Sequence, residues 1–157
     1  MKLLLWSIGK PNEPYVSKGV DEFTKRLNNY FSAEWKIIAP PKNAGVMSGT
    51  ELKKKEAELV LHLLKQDDVL VCLDENGKQM TSENLAGFIE QKANESTRQL
   101  VFLIGGAYGI HPSLLQRANV KWSLSQLTFP HQLVRLVLAE QLYRACTILR
   151  NEKYHHR

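Results

Sequence analysis

At 157 residues, 43% of them apolar and 24% charged, the chain has the length of one domain (1–157) and a composition that excludes a disordered segment. No apolar run is long enough to span a bilayer, and Cys72 and Cys146 have no partner at metal spacing, which reads as two buried thiols of a cytoplasmic protein. The net charge of +5 falls in the last quarter, where Arg117, Lys121, Arg135, Arg144, Arg150, Lys153 and Arg157 stand against Glu140 and Glu152 alone; such a field suits a polyanion such as RNA, or equally a solvated basic helix.

Met1-Lys2-Leu3-Leu4-Leu5-Trp6 resembles the start of a signal peptide, but Gly9-Lys10-Pro11 cuts it short, and residues 2–8 read as a buried strand. Helical spacing of Val16, Val20, Phe23, Leu27 and Tyr30 predicts a helix over 14–30. A second strand is expected at 35–39, ended by Pro40-Pro41, and a flexible loop at 42–49. Ser48 and Glu51 have the spacing of a capping box, opening a helix that reaches about residue 64. A nearly all-apolar strand is predicted at 68–73, then a polar loop at 74–81 and a helix capped by Ser82. Residues 100–104 form the fourth expected strand, Pro112 begins a short helix, and 122–125 form the fifth strand. A long helix over 130–150 is apolar on more than one face, and this breadth suggests that it packs on the sheet and on a second subunit. Strands alternating with helices predict an α/β domain with a largely parallel sheet.

Three strands end at Leu73, Ile104 and Ser125, each before a loop of small or polar residues. In open α/β sheets ligands sit beyond the carboxyl ends of the strands, so these loops are the expected site. Gly105-Gly106 removes side chains where a ligand or backbone must approach closely, though a tight turn would ask for the same residues. Dinucleotide, P-loop and nucleophile-elbow motifs are missing, and no cluster has the spacing of a metal site. His62 reads as a structural or surface residue, His111 as a cap, His131 as a cap or a site residue, and His155 and His156 as a frayed end or a functional tail. Glu140 and Arg144, four apart, predict a helix ion pair.

Taken together, MKLLLWSIGK, VLVCLDENGK, FLIGGAYGIH, WSLSQLTFPHQLVRLVLAEQLYRA and KYHH resemble, over essentially the full chain, the small bacterial ribosomal RNA large-subunit methyltransferase H family of the SPOUT class. The resemblance implies a deep C-terminal trefoil knot, a homodimer and S-adenosyl-L-methionine as cofactor. It also implies methylation of N3 of a pseudouridine in helix 69 of 23S rRNA on assembled ribosomes. By the same resemblance Leu73, Gly105, Leu124, Ser125, Gln126, Leu127, Thr128 and Phe129 contact the cofactor. Arg135, Arg144, Tyr154 and His155 match positions on the substrate side and are the expected catalytic residues. The chain departs from the family pattern at His156, which stands where a basic residue is expected directly after Tyr-His and leaves the role of Arg157 open. Three alternatives remain: a knotted methyltransferase acting on another RNA base, a non-catalytic ribosome-binding protein, and a flavodoxin-like small-ligand module.

Overall fold

Leu3 and Leu5 of β1 (Lys2–Ile8) pack into one core while Leu4, Trp6 and Ile8 pack into another, so the sheet is covered on both faces. The computed structural model describes residues 1–156; Arg157 lies outside the described residues. After β1 come α1 (Pro14–Leu27), β2 (Ser32–Ile38), a 3₁₀ turn at Ala44–Val46, α2 (Gly49–Leu63), β3 (Val69–Gln79) and α3 (Ser82–Asn94). The chain continues through β4 (Gln99–Ile104), α4 (Pro112–Arg117), β5 (Val120–Ser123) and α5 (His131–Leu149). The five strands pair in the order β2-β1-β4-β3-β5, and every pairing is parallel.

Side chains from α1, α3 and α5 (Leu27, Leu85, Ile89, Leu138, Leu142) join one core, and Ala57 and Val60 of α2 with Leu114 of α4 join the other. Each step towards the β2 edge therefore runs through a helix on the first face, and each step towards the β5 edge through a helix on the second. A single crossover hand requires that alternation. The same placement revises the reason for expecting a second subunit. Helix α5 lies on the sheet between α1 and α3, so its apolar breadth is largely satisfied within the chain.

Several boundaries differ from expectation. Helix α1 stops at Leu27 because Asn28 turns its side chain onto the Thr24 carbonyl and both backbone groups of Ala33, which starts β2 at Ser32. Strand β3 does not end at Leu73: after an excursion over 74–77 it rejoins β5, with Lys78 beside Trp122 and Gln79 beside Ser123. Gly77 permits this, since a Cβ there would come within 2.6 Å of the Lys121 and Trp122 backbone. Helix α3 is capped by Thr81 rather than Ser82, in a reciprocal box with Asn84. Strand β5 ends at Ser123, which leaves Leu124 and Ser125 in the loop that follows.

Candidate functional site

The ends of β3, β4 and β5 open onto a cavity of about 720 Å³, lined by 73–76, 104–110, 122–129, His131 and Val134. That volume lies in the range of small-molecule sites. All eight expected cofactor residues line it: Leu73, Gly105 and the run from Leu124 to Phe129. Local hydrogen bonds shape its walls. The Ser123 hydroxyl donates to the Ser125 carbonyl at 3.0 Å, and the Ser125 hydroxyl accepts from the Leu127 amide at 3.0 Å. Opposite, the Gly109 amide donates to the Gly106 carbonyl at 3.1 Å, closing a turn in which Gly109 takes φ +88°, a left-handed conformation that favours glycine.

The two glycines at the floor are required by contacts that the sequence does not reveal. A Cβ on Gly105 would stand 2.6 Å from Ile110 Cγ1 and 3.2 Å from the Gly109 backbone, so the loop returning over it demands glycine. A Cβ on Gly106 would stand 2.5 Å from the Glu56 carboxylate. Glu56 is buried on α2 with Oε1 unpartnered, and burial holds its carboxyl above the ordinary value. Sequence reading missed it. The available signal was a lone carboxylate between Leu52 and Val60 on the stripe that α2 turns inward. The indole N–H of Trp122, in the cavity wall, is likewise buried and unpartnered. His131 lies on the rim; burial, and then the nearby Arg135 charge, keep its imidazole below the ordinary value, while a hydrogen bond with the Gly106 backbone opposes them.

The four expected catalytic residues divide into two groups, and none lines the cavity. Arg135 is 1% exposed. Its Nε donates to Ser7 Oγ at 2.8 Å, and its Nη1 donates to the Lys10 carbonyl at 2.8 Å and Asn12 Oδ1 at 2.9 Å. Gln132 adds two bonds to the same β1–α1 loop, through the Pro11 carbonyl and the Glu13 amide. Arg135 is therefore a buried tie between α5 and that loop.

Arg144, Tyr154 and His155 do come together. Arg144 donates through Nε and Nη2 to Glu140, as the helix spacing predicts, and its guanidinium lies 4.7 Å from the centre of the Tyr154 ring. The Tyr154 hydroxyl donates to Glu140 Oε1 at 3.0 Å. Burial and then that carboxylate raise its pKa, so it serves as a donor and not as a base near neutral pH. His155 bridges Arg144 Nη1 at 3.2 Å and Glu83 Oε1 at 3.1 Å. The tail is thus a docked segment and not a frayed end. Arg144 lies thirteen residues, about 20 Å along α5, from His131 at the cavity rim.

The basic quarter is also less free than its charge implies. Arg117 donates to the Lys65 and Asp68 carbonyls, Arg135 is buried and Arg144 is paired, leaving Lys121, Arg150 and Lys153 exposed among the described residues. Among those residues no group of acidic, histidine or cysteine side chains is arranged to hold a metal ion, and no helix is long and apolar enough to cross a membrane.

Comparison with known proteins agrees with this geometry. The chain is 47% identical over 156 residues to the ribosomal RNA large subunit methyltransferase H of Cytophaga hutchinsonii, spanning 99% of this chain and 100% of that one. It is 44% identical to the protein of the same name from Flavobacterium johnsoniae, over 99% of each chain. A probable methylase family protein from Haemophilus influenzae shares the fold with a TM-score of 0.52 at 8% identity, covering 99% of this chain and 70% of that one. The family model of predicted SPOUT methyltransferases matches residues 1–155. With that match and these full-length relatives, the chain belongs to the SPOUT methyltransferase family.

Proposed function

We propose that this protein is an S-adenosylmethionine-dependent methyltransferase that methylates N3 of a pseudouridine in helix 69 of 23S rRNA, on assembled ribosomes in the cytoplasm. The observation that carries the reading is the cavity beyond three strand ends, lined by all eight residues expected to contact the cofactor, in a chain matched end to end by ribosomal RNA methyltransferases. Its size, its glycine floor and the unpartnered Trp122 N–H fit a polar, nucleoside-bearing ligand. Bound S-adenosylmethionine supplies a methyl group on a sulfonium, already a strong electrophile. The protein's task is then alignment, exclusion of water and removal of the N3 proton. Arg144 supplies positive charge beside the imide as it loses that proton, and His155 accepts it.

In this reading the protein is a homodimer. Leu133, Val137, Glu140 and Arg144 recur at helical spacing on α5, each partly exposed, and form the stripe available to a second copy. That copy brings its docked tail to the cavity of the first, which explains why tail and cavity stay apart in one chain. The family relationship further implies that β5 and α5 are tied into a deep trefoil knot.

Mass spectrometry of 23S rRNA from cells with and without the gene tests the activity. The expected result is loss of one N3-methylated pseudouridine in helix 69, restored by the wild-type gene. A methyl missing from a different base would redirect the target, and unchanged rRNA would sink the assignment.

A further inference from the structure

The tail contains an arrangement that reaches beyond the residues assigned so far. His155 has both ring nitrogens occupied: Nδ1 faces Arg144 Nη1 at 3.2 Å, and Nε2 faces Glu83 Oε1 at 3.1 Å. A guanidinium has hydrogens to donate and no lone pair to accept with. The nitrogen beside Arg144 must then carry the lone pair, so the ring hydrogen sits on Nε2 and is donated to Glu83. Two chemically opposite partners thus select one tautomer, and they leave Nδ1 as the basic nitrogen.

The helical turn that carries Glu83 is itself fixed. It occupies the first turn of α3, where Thr81 Oγ1 accepts from the Asn84 amide at 3.0 Å and Asn84 Oδ1 accepts from the Thr81 amide at 3.4 Å. The Ser82 hydroxyl donates to Gln141 Oε1 at 2.8 Å, pinning the same turn to α5. Arg144 in turn is fixed by Glu140 on the same helix, with the Tyr154 ring against its guanidinium. A base oriented by a carboxylate behind it is the general solution for proton abstraction by histidine.

We propose that Glu83 is a positioning residue for methyl transfer, fixing His155 so that Nδ1 accepts the N3 proton of the substrate imide. The inference rests on the methyltransferase reading above. As substrate enters, Arg144 gives up Nδ1 and turns its N–H groups to the oxygens of the imide. The N3–H bond breaks with its proton passing to Nδ1. The nitrogen pair forms the new N–CH₃ bond, and the pair of the breaking C–S bond stays on sulfur. Imidazolium then lies against the Glu83 carboxylate, and the proton leaves to water after product release. The plain alternative is that Glu83 only complements the α3 dipole, as acids in a first helical turn commonly do.

The test uses the full-length chain with Glu83→Gln and Glu83→Ala. Both should lower kcat for methyl transfer to ribosomes by about 100-fold, while the KM for ribosomes and S-adenosylmethionine affinity stay within about twofold. Added formate should restore part of the kcat of Glu83→Ala, because a free carboxylate can take the vacated place behind the ring. Independently of activity, proton NMR should detect the His155 Nε2–H resonance in wild-type protein and lose it in Glu83→Ala. Wild-type kcat in the variants, or a loss that formate leaves untouched and that is matched by lost cofactor binding, would overturn the proposal. A wild-type chain that leaves ribosomes unmethylated would instead overturn the methyltransferase reading, and the NMR result would still decide whether Glu83 orients His155.

Discussion

Gly105 answers to a contact and not to open space. A β-carbon there meets Ile110 at 2.6 Å, a separation that real side chains do not tolerate, so any substitution must lift the Gly109–Ile110 return out of place. Gly105→Val should abolish S-adenosylmethionine binding in calorimetry while the circular dichroism spectrum stays native; normal binding by a folded variant would remove the glycine floor from the cofactor site. Glu56, one residue deeper, makes a prediction about pH. Its folded pKa is raised above the ordinary 4.5 by burial, so the native chain binds this proton more tightly than the unfolded chain does. The stability it contributes is complete below about pH 4.5 and is lost as pH rises through the higher folded value. Glu56→Gln cannot ionise, and its melting temperature should therefore gain on wild type between pH 5 and pH 8. A constant difference across that range would mean that the carboxyl titrates normally.

At the scale of elements, the decisive contacts are those of α5 with its two neighbours. Gly19 of α1 faces Leu136, and a Cβ there would approach Leu136 Cδ1 at 2.7 Å, so the Leu136 side chain fills the space that the glycine leaves. Gly19→Val overfills this seam and should cost about 1–3 kcal/mol in urea denaturation. Leu136→Ala should recover part of that loss in the double mutant, since it vacates the contested space; strictly additive effects would show that the two residues do not share it. The helix existence and order along the chain were legible because each helix carries its own apolar stripe and breaker. The position of α5 between α1 and α3 was not, because periodicity reports how wide an apolar surface is and never what covers it. The extension of β3 was equally hidden: Asp74-Glu75-Asn76-Gly77 has the composition of a loop, and only the close backbone of Lys121 and Trp122 beside Gly77 lets Lys78 and Gln79 rejoin the sheet.

At the scale of the whole molecule, cavity and tail are separate features of one chain, and the proposed dimer joins them. Light scattering at micromolar concentration should give twice the 17.9 kDa chain mass. Val137→Lys, on the partly exposed stripe of α5, should give folded monomers that bind cofactor and do not methylate ribosomes. A wild-type monomer would remove the second-subunit account. Deleting 154–157 should leave S-adenosylmethionine affinity within about twofold and lower methyl transfer to ribosomes by about 100-fold or more; a truncated protein of wild-type rate would make the docked tail a purely structural strap.

By itself the sequence determined what is local or carried as a pattern: the alternation of strands and helices, the parallel sheet, the two buried thiols and the family. It also marked the three strand-end loops around which the cavity opens, because strand ends, glycines and turn residues announce themselves within a few positions. Tertiary structure alone decided which charges are free to act. Arg135 and Arg144 are both arginines on one apolar helix, nine residues apart, and no rule of spacing separates them. One turns inward to the neutral oxygens of Ser7, Lys10 and Asn12, 123 to 128 positions away in the chain. The other holds a tail histidine against Glu83, a partner 72 positions from that histidine. The partners that assign these roles are brought close only by folding, since an ionisable group takes its role from the atoms that replace its water.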